Sequence, residues 1–324
     1  MIPSMNFSMS VKSCMRLCTS NTKVFANQCQ SICTSGTVCH QPAGANLKTR
    51  QAEMMAKGLP KKKAIVGVKH ILLVASGKGG VGKSTTAVNV AAALKAEDDS
   101  KEVGLLDADV YGPSVPLMMN LDDSPLLDDN NLMIPLQNYG IKCMSMGFLV
   151  NKDSPVIWRG LMVMQALDRL LRQVAWGPVD YLVVDTPPGT GDTHLSLIQN
   201  VPVSGVLLVT TPQTAALQVT QRGANMFKKL DIPIIGIIQN MSSVECPNCQ
   251  NHVKLQSHSA KTLMHEIDVP VLGDIPLDNA ISEGADTGTP VIISSPDSPQ
   301  AMAYKTVAKE VVKYLNEKEL TSCH

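Results

Sequence analysis

Residues 77–85 read Gly77-Lys78-Gly79-Gly80-Val81-Gly82-Lys83-Ser84-Thr85. They follow an apolar run at 71–75 and lead into a pattern typical of a helix. A glycine-rich loop between a buried strand and a helix predicts a phosphate-binding loop, in which backbone N–H groups surround the phosphates of a nucleotide. We therefore expect the whole stretch to bind ATP, with Lys83 on the β- and γ-phosphates and Ser84 as a ligand of Mg²⁺.

The composition argues against a nucleic-acid-binding protein and against a membrane-spanning one. The 324 residues carry 28 Lys+Arg and 28 Asp+Glu, so the formal net charge is zero and a general nucleic-acid-binding surface is not expected. No apolar run approaches the roughly 18 residues of a membrane helix, so no transmembrane segment is expected. Apolar residues make up 44% of the chain, enough for a sizeable buried core.

Short apolar runs alternate with helical patterns from about residue 66 onward, which predicts an α/β fold with one doubly wound, mostly parallel sheet. The strands are predicted at 71–75, 103–106, 181–184, 206–210, 234–238 and 271–275. The helices are predicted at 84–96, 160–174, 216–230, 260–267 and 299–317. Residues 132–148 are expected to add a short hairpin near the sheet edge. The predicted ATPase domain covers 59–316, followed by a tail at 317–324.

Residues 1–52 differ from the rest, because they contain no Asp or Glu, five Lys or Arg, and many Ser and Thr. This composition is typical of a mitochondrial or chloroplast transit peptide. The alternative is an N-terminal cluster-binding tail that uses Cys14, Cys29, Cys33 and Cys39.

Acidic residues follow two of the predicted strands, at the sheet edge where open α/β sheets bind ligands. Asp185 is expected to hold Mg²⁺ through its water shell, as a carboxylate after an apolar run does in such ATPases. Asp109 is our candidate for orienting the attacking water, while Asp107 supports the site. Gly189 and Gly191 would let the loop after Asp185 move with the γ-phosphate.

Two residues near the predicted strand ends at 238 and 275 are candidates for the base. The Asn240 amide can donate and accept hydrogen bonds, as reading adenine requires. Pro276 is expected to pack near the base. The alternative for Asn240 is a turn residue at a strand end.

The pair Cys246-Pro-Asn-Cys249 places two thiolates on one metal ion or cluster. Two cysteines do not complete a four-thiolate site, so such a site needs two more from a second chain. Three alternatives stay open: a structural zinc site that uses His252 or His258, a redox dithiol, and two inert thiols.

Taken in order, KGGVGKST, LLDADVYGPSVP, NYGIKCMSMGF, VVDTPPGTGD, QNM and CPNC resemble the Mrp/Nbp family of deviant-Walker-A iron–sulfur carrier ATPases, over residues 59–316. The resemblance implies a homodimer in which Lys78 reaches the partner's nucleotide. It implies a [4Fe–4S] cluster held between two subunits by Cys246 and Cys249 and delivered to apo iron–sulfur proteins. The similarity is strongest to a mitochondrial branch that serves respiratory complex I, which implies the mitochondrial matrix.

We therefore expect an ATP-dependent iron–sulfur scaffold or carrier whose weak ATPase activity acts as a switch. One alternative is a zinc-bridged dimeric ATPase that targets or positions proteins. Another is a partition-type ATPase without a metal. One departure from the family pattern is Thr186, where methionine is expected.

Overall fold

The computed structural model describes residues 62–150, 160–189, 191–246, 248–249, 251–255 and 267–322. The predicted leader at 1–52, its cysteines and most of the helix predicted at 260–267 lie outside these residues. Within them, no helix is both long and apolar enough to span a bilayer.

The core is one eight-stranded sheet with the order β10-β7-β6-β1-β5-β2-β4-β3. Its strands are β1 (Val68–Ser76), β2 (Val103–Asp107), β3 (Leu136–Asn138), β4 (Ile141–Ser145), β5 (Val179–Asp185), β6 (Gly205–Thr210), β7 (Ile234–Gln239) and β10 (Val271–Asp274). All neighbouring pairs are parallel except β3 and β4. The predicted α/β class with a mostly parallel sheet is confirmed.

The central strands are buried along most of their length, which explains their continuous apolar runs. Parallel pairing aligns their carboxyl ends, and Asp107 of β2 lies opposite Asp185 of β5 in the register. The edge hairpin β3–β4 turns through Tyr139 and Gly140, both with positive φ (51° and 73°), as a two-residue hairpin loop requires.

The described part of the chain has eight α-helices, of which the first five connect strands and the last three follow β10. They are α1 (Lys83–Glu97), α2 (Val115–Met118), α3 (Gly160–Arg172), α4 (Asp192–Asn200), α5 (Thr214–Lys229), α6 (Asn279–Thr287), α7 (Val291–Ser294) and α8 (Pro299–Ser322). Helix α1 is buried on most sides because its alanines and valines allow close packing against the sheet and α8.

The C-terminal end differs from the expected tail at 317–324, because α8 continues to Ser322. Two contacts hold its last turns to the body of the domain. The Lys318 ammonium donates to the Ser204 carbonyl at 3.0 Å. Glu319 lies 2.8 Å from the Lys69 ammonium and 2.9 Å from His70 Nε2. Such polar contacts produce no apolar periodicity in the sequence, so the helix was predicted to end at 317 and not at Ser322.

Candidate functional site

The phosphate-binding loop lies between β1 and α1, as predicted. Gly80 and Gly82 have φ values of 77° and 82°, in the left-handed region that favours glycine. A Cβ at Gly82 would also collide with the side-chain amide of Asn240. The Ser76 hydroxyl donates to the Lys78 carbonyl at 3.0 Å and fixes the start of the loop.

Lys83 is buried at the first turn of α1, and its ammonium contacts Ser84 on the same turn and Asp185 at the end of β5. Nζ lies 2.5 Å from Asp185 Oδ1 and donates to Ser84 Oγ at 3.1 Å. The structure therefore brings together the three side chains that the sequence assigned to phosphate and Mg²⁺.

Asp185 is completely buried at the end of β5. Burial raises the pKa of its carboxyl group, while the Lys83 charge opposes that shift. Its second oxygen, Oδ2, has no hydrogen-bond partner among the described residues. A buried carboxylate oxygen that is free to accept, next to the hydroxyl of Ser84, fits the oxygen ligands that Mg²⁺ or its bound water requires.

Asp107 organises the loop that follows β2. Its carboxylate accepts from the backbone N–H groups of Asp109 (3.1 Å), Ser114 (3.0 Å) and Val115 (3.1 Å), and from Ser145 Oγ (3.1 Å). Burial, followed by the negative charge at the end of β5, raises its pKa to about 7. The Asp107 carboxylate thus holds the backbone that carries Asp109.

Asp109 itself is partly exposed, and its carboxylate accepts one weak hydrogen bond from Gly112 N at 3.4 Å. It lies close enough to Asp185 for its charge to raise the pKa of that group. The structure places Asp109 at the same sheet edge as Lys83, so its assignment as the water-orienting residue stays a prediction with compatible geometry.

A cleft of about 350 Å³ adjoins the loop where a base is expected. Its lining includes Gly82, Thr85, Asn240, Met241, Pro276 and Asp278. Asn240 Nδ2 donates to the Val81 carbonyl at 2.9 Å, so one amide hydrogen holds the phosphate loop. The base-reading role of Asn240 and Pro276 stays a prediction, with the added finding that Asn240 is part of the loop's support.

A second cleft of about 210 Å³ also adjoins the loop. It is lined by Lys78, Gly79, Gly80, Val81, Thr211, Pro212, Gln213, Met241, Leu255 and Leu277. Lys78 is exposed, in contrast to the buried Lys83. Its side chain is thus accessible to another molecule, as the predicted role across a dimer interface requires.

The cysteine pair lies at the tip of a two-stranded antiparallel ribbon, β8 (Ser243–Glu245) and β9 (His252–Lys254), which the sequence pattern did not predict. Cys246 N donates to Asn251 O at 3.0 Å and closes the tip. Hydrogen bonds from the backbone N–H groups of Cys249 and then Asn248 lower the pKa of the Cys246 thiol. This arrangement favours the thiolate, the form that binds metals.

No third metal ligand accompanies the pair in the part of the chain that the structure describes, where no group of three or more His, Cys, Asp or Glu could hold an ion. The zinc alternatives through His252 and His258 rest on side chains outside that description. Cys143 is buried in β4, five positions in the sheet from β7, and burial raises the pKa of its thiol well above the usual range.

His194 is a buried residue that the sequence analysis did not single out. Thr186 Oγ1 donates its hydrogen to the Val74 carbonyl at 2.9 Å, so the 3.0 Å contact with His194 requires that Nε2 be the donor. Nδ1 is then a buried acceptor without a partner among the described residues. Burial and the nearby Lys83 charge lower its pKa to about 4. A histidine two positions after Asp192 carries no pattern that would mark it as buried.

The chain is similar in sequence to known proteins over most of its length. The ParA family model described as "NUBPL iron-transfer P-loop NTPase" matches residues 67–312. The chain is 56% identical over 270 residues to an iron-sulfur cluster transfer protein of Mus musculus, covering 83% of this chain and 85% of that protein. It is 51% identical over 252 residues to an iron-sulfur protein required for NADH dehydrogenase, mitochondrial, of Arabidopsis thaliana, covering 78% and 80%.

Solved structures agree on the fold. A nucleotide-binding protein from Archaeoglobus fulgidus, in complex with ADP and with cobalt found in it, is 32% identical, with a TM-score of 0.62. The match covers 72% of this chain and 91% of that one. The cell-division ATPase MinD of Pyrococcus furiosus is similar in fold alone, at 23% identity and a TM-score of 0.57, with 75% and 98% covered.

Proposed function

The chain belongs to the NUBPL family of iron-transfer P-loop NTPases, and from that premise we propose that it assembles a [4Fe–4S] cluster and delivers it in an ATP-dependent manner. The observation that carries the proposal is the position of Cys246 and Cys249. They stand three residues apart at the tip of a ribbon that begins four residues after β7, with Cys246 partly exposed and Cys249 exposed. The cluster is the cargo, and the nucleotide site is a separate part of the same chain.

In the nucleotide site, Lys83 would bind the β- and γ-phosphates together with the backbone of the loop from Gly77 to Thr85. Ser84 and the free oxygen of Asp185 would hold Mg²⁺, which neutralises phosphate charge when bound. Asp109 would orient water for slow hydrolysis, on a backbone fixed by Asp107. Hydrolysis acts as a switch between states of the carrier.

The functional unit that we propose is a homodimer. A cubane cluster takes four thiolates, and each chain supplies two. A twofold axis through the cluster would bring both pairs onto one site, since an isologous interface repeats every contact. The exposed Lys78 beside the phosphate loop would reach the partner's nucleotide across that interface.

The clients that we propose are apo iron–sulfur proteins, among them subunits of respiratory complex I, in the mitochondrial matrix. Support comes from the Arabidopsis relative, whose name links it to NADH dehydrogenase and to mitochondria. The acid-free stretch 1–52 would act as the transit peptide. A fusion of these residues to a fluorescent reporter should enter mitochondria, whereas a cytosolic reporter would favour the cluster-tail alternative for Cys14, Cys29, Cys33 and Cys39.

Anaerobic reconstitution tests the proposal. Purified full-length chain is incubated with ferrous iron and sulfide under reducing conditions, desalted, and analysed for bound iron, sulfide and visible absorption. We expect a [4Fe–4S] spectrum that the Cys246→Ala/Cys249→Ala variant loses. Cys143→Ala is the matched control that should keep it, because Cys143 is buried in β4, five positions in the sheet from the strand β7 that leads to the ribbon.

Two results would overturn the proposal. A chain that retains zinc but no iron or sulfide would establish the zinc-bridged ATPase in its place. A chain that binds neither, while nucleotide binding is intact, would favour a partition-type ATPase without a metal.

A further inference from the structure

The nucleotide site and the thiol ribbon are joined by a short, bonded segment. Asn240 and Cys246 are six positions apart in the chain. At one end, Asn240 N donates to Thr210 O at 2.7 Å, and its amide donates to Val81 O of the phosphate loop. At the other end, β8 leads directly to the first thiol. The backbone between the phosphate loop and Cys246 is therefore short and held by hydrogen bonds at Asn240 and by the strand β8.

Met241 is the second residue of this segment, directly after Asn240. Its φ is 54°, a left-handed value that is uncommon for a residue other than glycine. Its side chain lines both clefts beside the phosphate loop, the 350 Å³ base cleft and the 210 Å³ cleft that contains Lys78. Its Cε lies 3.9 Å from the point where a Cβ on Gly82 would lie. A nucleotide in the base cleft would therefore meet Met241.

A second contact runs through residues 275–278, which we call the strap. Ile275 N donates to Gln239 O at 2.8 Å, and Ser242 N donates to Ile275 O at 3.0 Å. Leu277 N then donates to Ser243 O of the ribbon at 2.8 Å. The strap also lines the base cleft through Pro276, Leu277 and Asp278. One segment thus contacts the base site with side chains and the ribbon with its backbone.

We propose that Met241, supported by the strap, is a positioning residue that couples nucleotide occupancy to the placement of the Cys246–Cys249 ribbon. The proposal rests on the proposed function for its biological meaning, because the ribbon is taken to carry the cluster. Its physical content concerns the thiols alone and is testable on protein without a cluster.

The coupling has a physical basis in the strained backbone at Met241. A left-handed φ at a non-glycine residue is unfavourable and persists only where surrounding contacts enforce it. A ligand changes such an equilibrium only if it contacts one state better than the other. Met241 meets that requirement, because it lines the base cleft and its backbone lies two residues before the first strand of the ribbon. Adding the nucleotide therefore changes which backbone state the contacts favour.

The experiment measures thiol reactivity in reduced, metal-free, full-length protein. Iodoacetamide labelling at Cys246 and at Cys249 is followed by mass spectrometry of peptides, with and without Mg²⁺ and a saturating non-hydrolysable ATP analogue. In the unmodified sequence we expect the nucleotide to change the labelling rate about fivefold or more, the lower end of typical couplings between sites. Binding of the analogue is measured directly for every protein, so that saturation is known.

Met241→Ala should abolish the nucleotide response at saturation, and Met241→Leu, which restores a side chain of similar volume, should recover most of it. Met302→Ala is the matched control, since Met302 is exposed on α8, and it should keep the full response. The proposal is overturned if Met241→Ala responds like the unmodified sequence. It is also overturned if labelling of the unmodified sequence ignores bound nucleotide. Failure of the proposed function would show differently, as absent iron and sulfide after reconstitution.

Discussion

The phosphate edge of the sheet and the cysteine ribbon are built in opposite ways. The phosphate edge consists of buried charged groups, and Asp107 alone accepts four hydrogen bonds there. The ribbon has two strands of three residues each, and Cys249 at its tip is exposed. One chain brings Lys83, Ser84 and Asp185 together at the first site, whereas the second site has the two thiols of Cys246 and Cys249. Under the proposed function, the nucleotide contacts come mostly from one chain, whereas cluster binding requires two chains.

The two regions also differ in what a substitution costs. A buried ion pair that loses one partner leaves a charge without compensation, which costs about 3–5 kcal/mol. The Lys83–Asp185 pair is in this situation, with both side chains almost fully buried. Cys249 is exposed and Cys246 partly exposed, so their replacement should affect folding little. Substitutions can therefore separate the two sites.

The largest effect is expected at Lys83. Lys83→Met should weaken ATP binding by at least about 100-fold, because hydrogen bonds to charged phosphates are worth about 1.5–3 kcal/mol each and more than one is lost. Calorimetric titration with ATP measures it. Lys309→Met, at an exposed position on α8, is the control that should bind normally.

Folding must be separated from binding in that experiment. The double variant Lys83→Met/Asp185→Asn removes the unpaired charge, so it should recover stability in urea without recovering ATP affinity. Unchanged affinity in a folded Lys83→Met protein would show that the phosphates bind elsewhere.

A smaller effect is expected at Asp109, which tests whether the phosphate edge does chemistry as well as binding. Asp109→Asn should keep ATP bound but slow hydrolysis about 100-fold, the lower end of what a positioned acid or base contributes. Single-turnover hydrolysis of prebound ATP measures the step, with Asp99→Asn at an exposed position as the control. Normal turnover, or loss of ATP binding, would assign Asp109 another role.

The smallest effect is expected at His194, beneath the phosphate edge. Its pKa is lowered to about 4, so the unfolded chain binds more protons than the folded chain between about pH 6.5 and pH 4. The free energy of unfolding is therefore unaffected by His194 above about pH 6.5 and decreases as the pH falls, by about 1.4 kcal/mol at pH 5.5. His194→Gln should remove that part of the pH dependence in urea unfolding at pH 7.5 and 5.5. An equal loss in both proteins would contradict the buried neutral imidazole.

The phosphate edge was also more predictable from the sequence than the ribbon. Six apolar runs predicted six of the parallel strands, because buried strands need continuous apolar side chains. The helical patterns between the runs indicated that the strands run in the same direction. The same register rule brought Asp107, Asp185 and Lys83 together correctly. Local pattern and parallel topology are sufficient for such a site.

What the sequence did not predict depends on long-range contacts. The hydrogen bonds of Asp107 to Ser145, the burial of His194 and the polar contacts of Glu319 that extend α8 all join residues far apart in the chain. The strands of the ribbon, at three residues each, are too short to show a period of two. Their position next to Met241 depends on hydrogen bonds from the strap, and no local sequence pattern predicts these bonds.

The most direct test of the account is the number of clusters per chain in mixed dimers. Unmodified chains and Cys246→Ala/Cys249→Ala chains with different tags are co-expressed, purified as heterodimers, reconstituted anaerobically and weighed by native mass spectrometry. We expect one [4Fe–4S] cluster per unmodified homodimer and none in the heterodimer, which retains only two thiolates, while both bind ATP. A full cluster on the heterodimer or on a monomer would contradict a site shared between two chains.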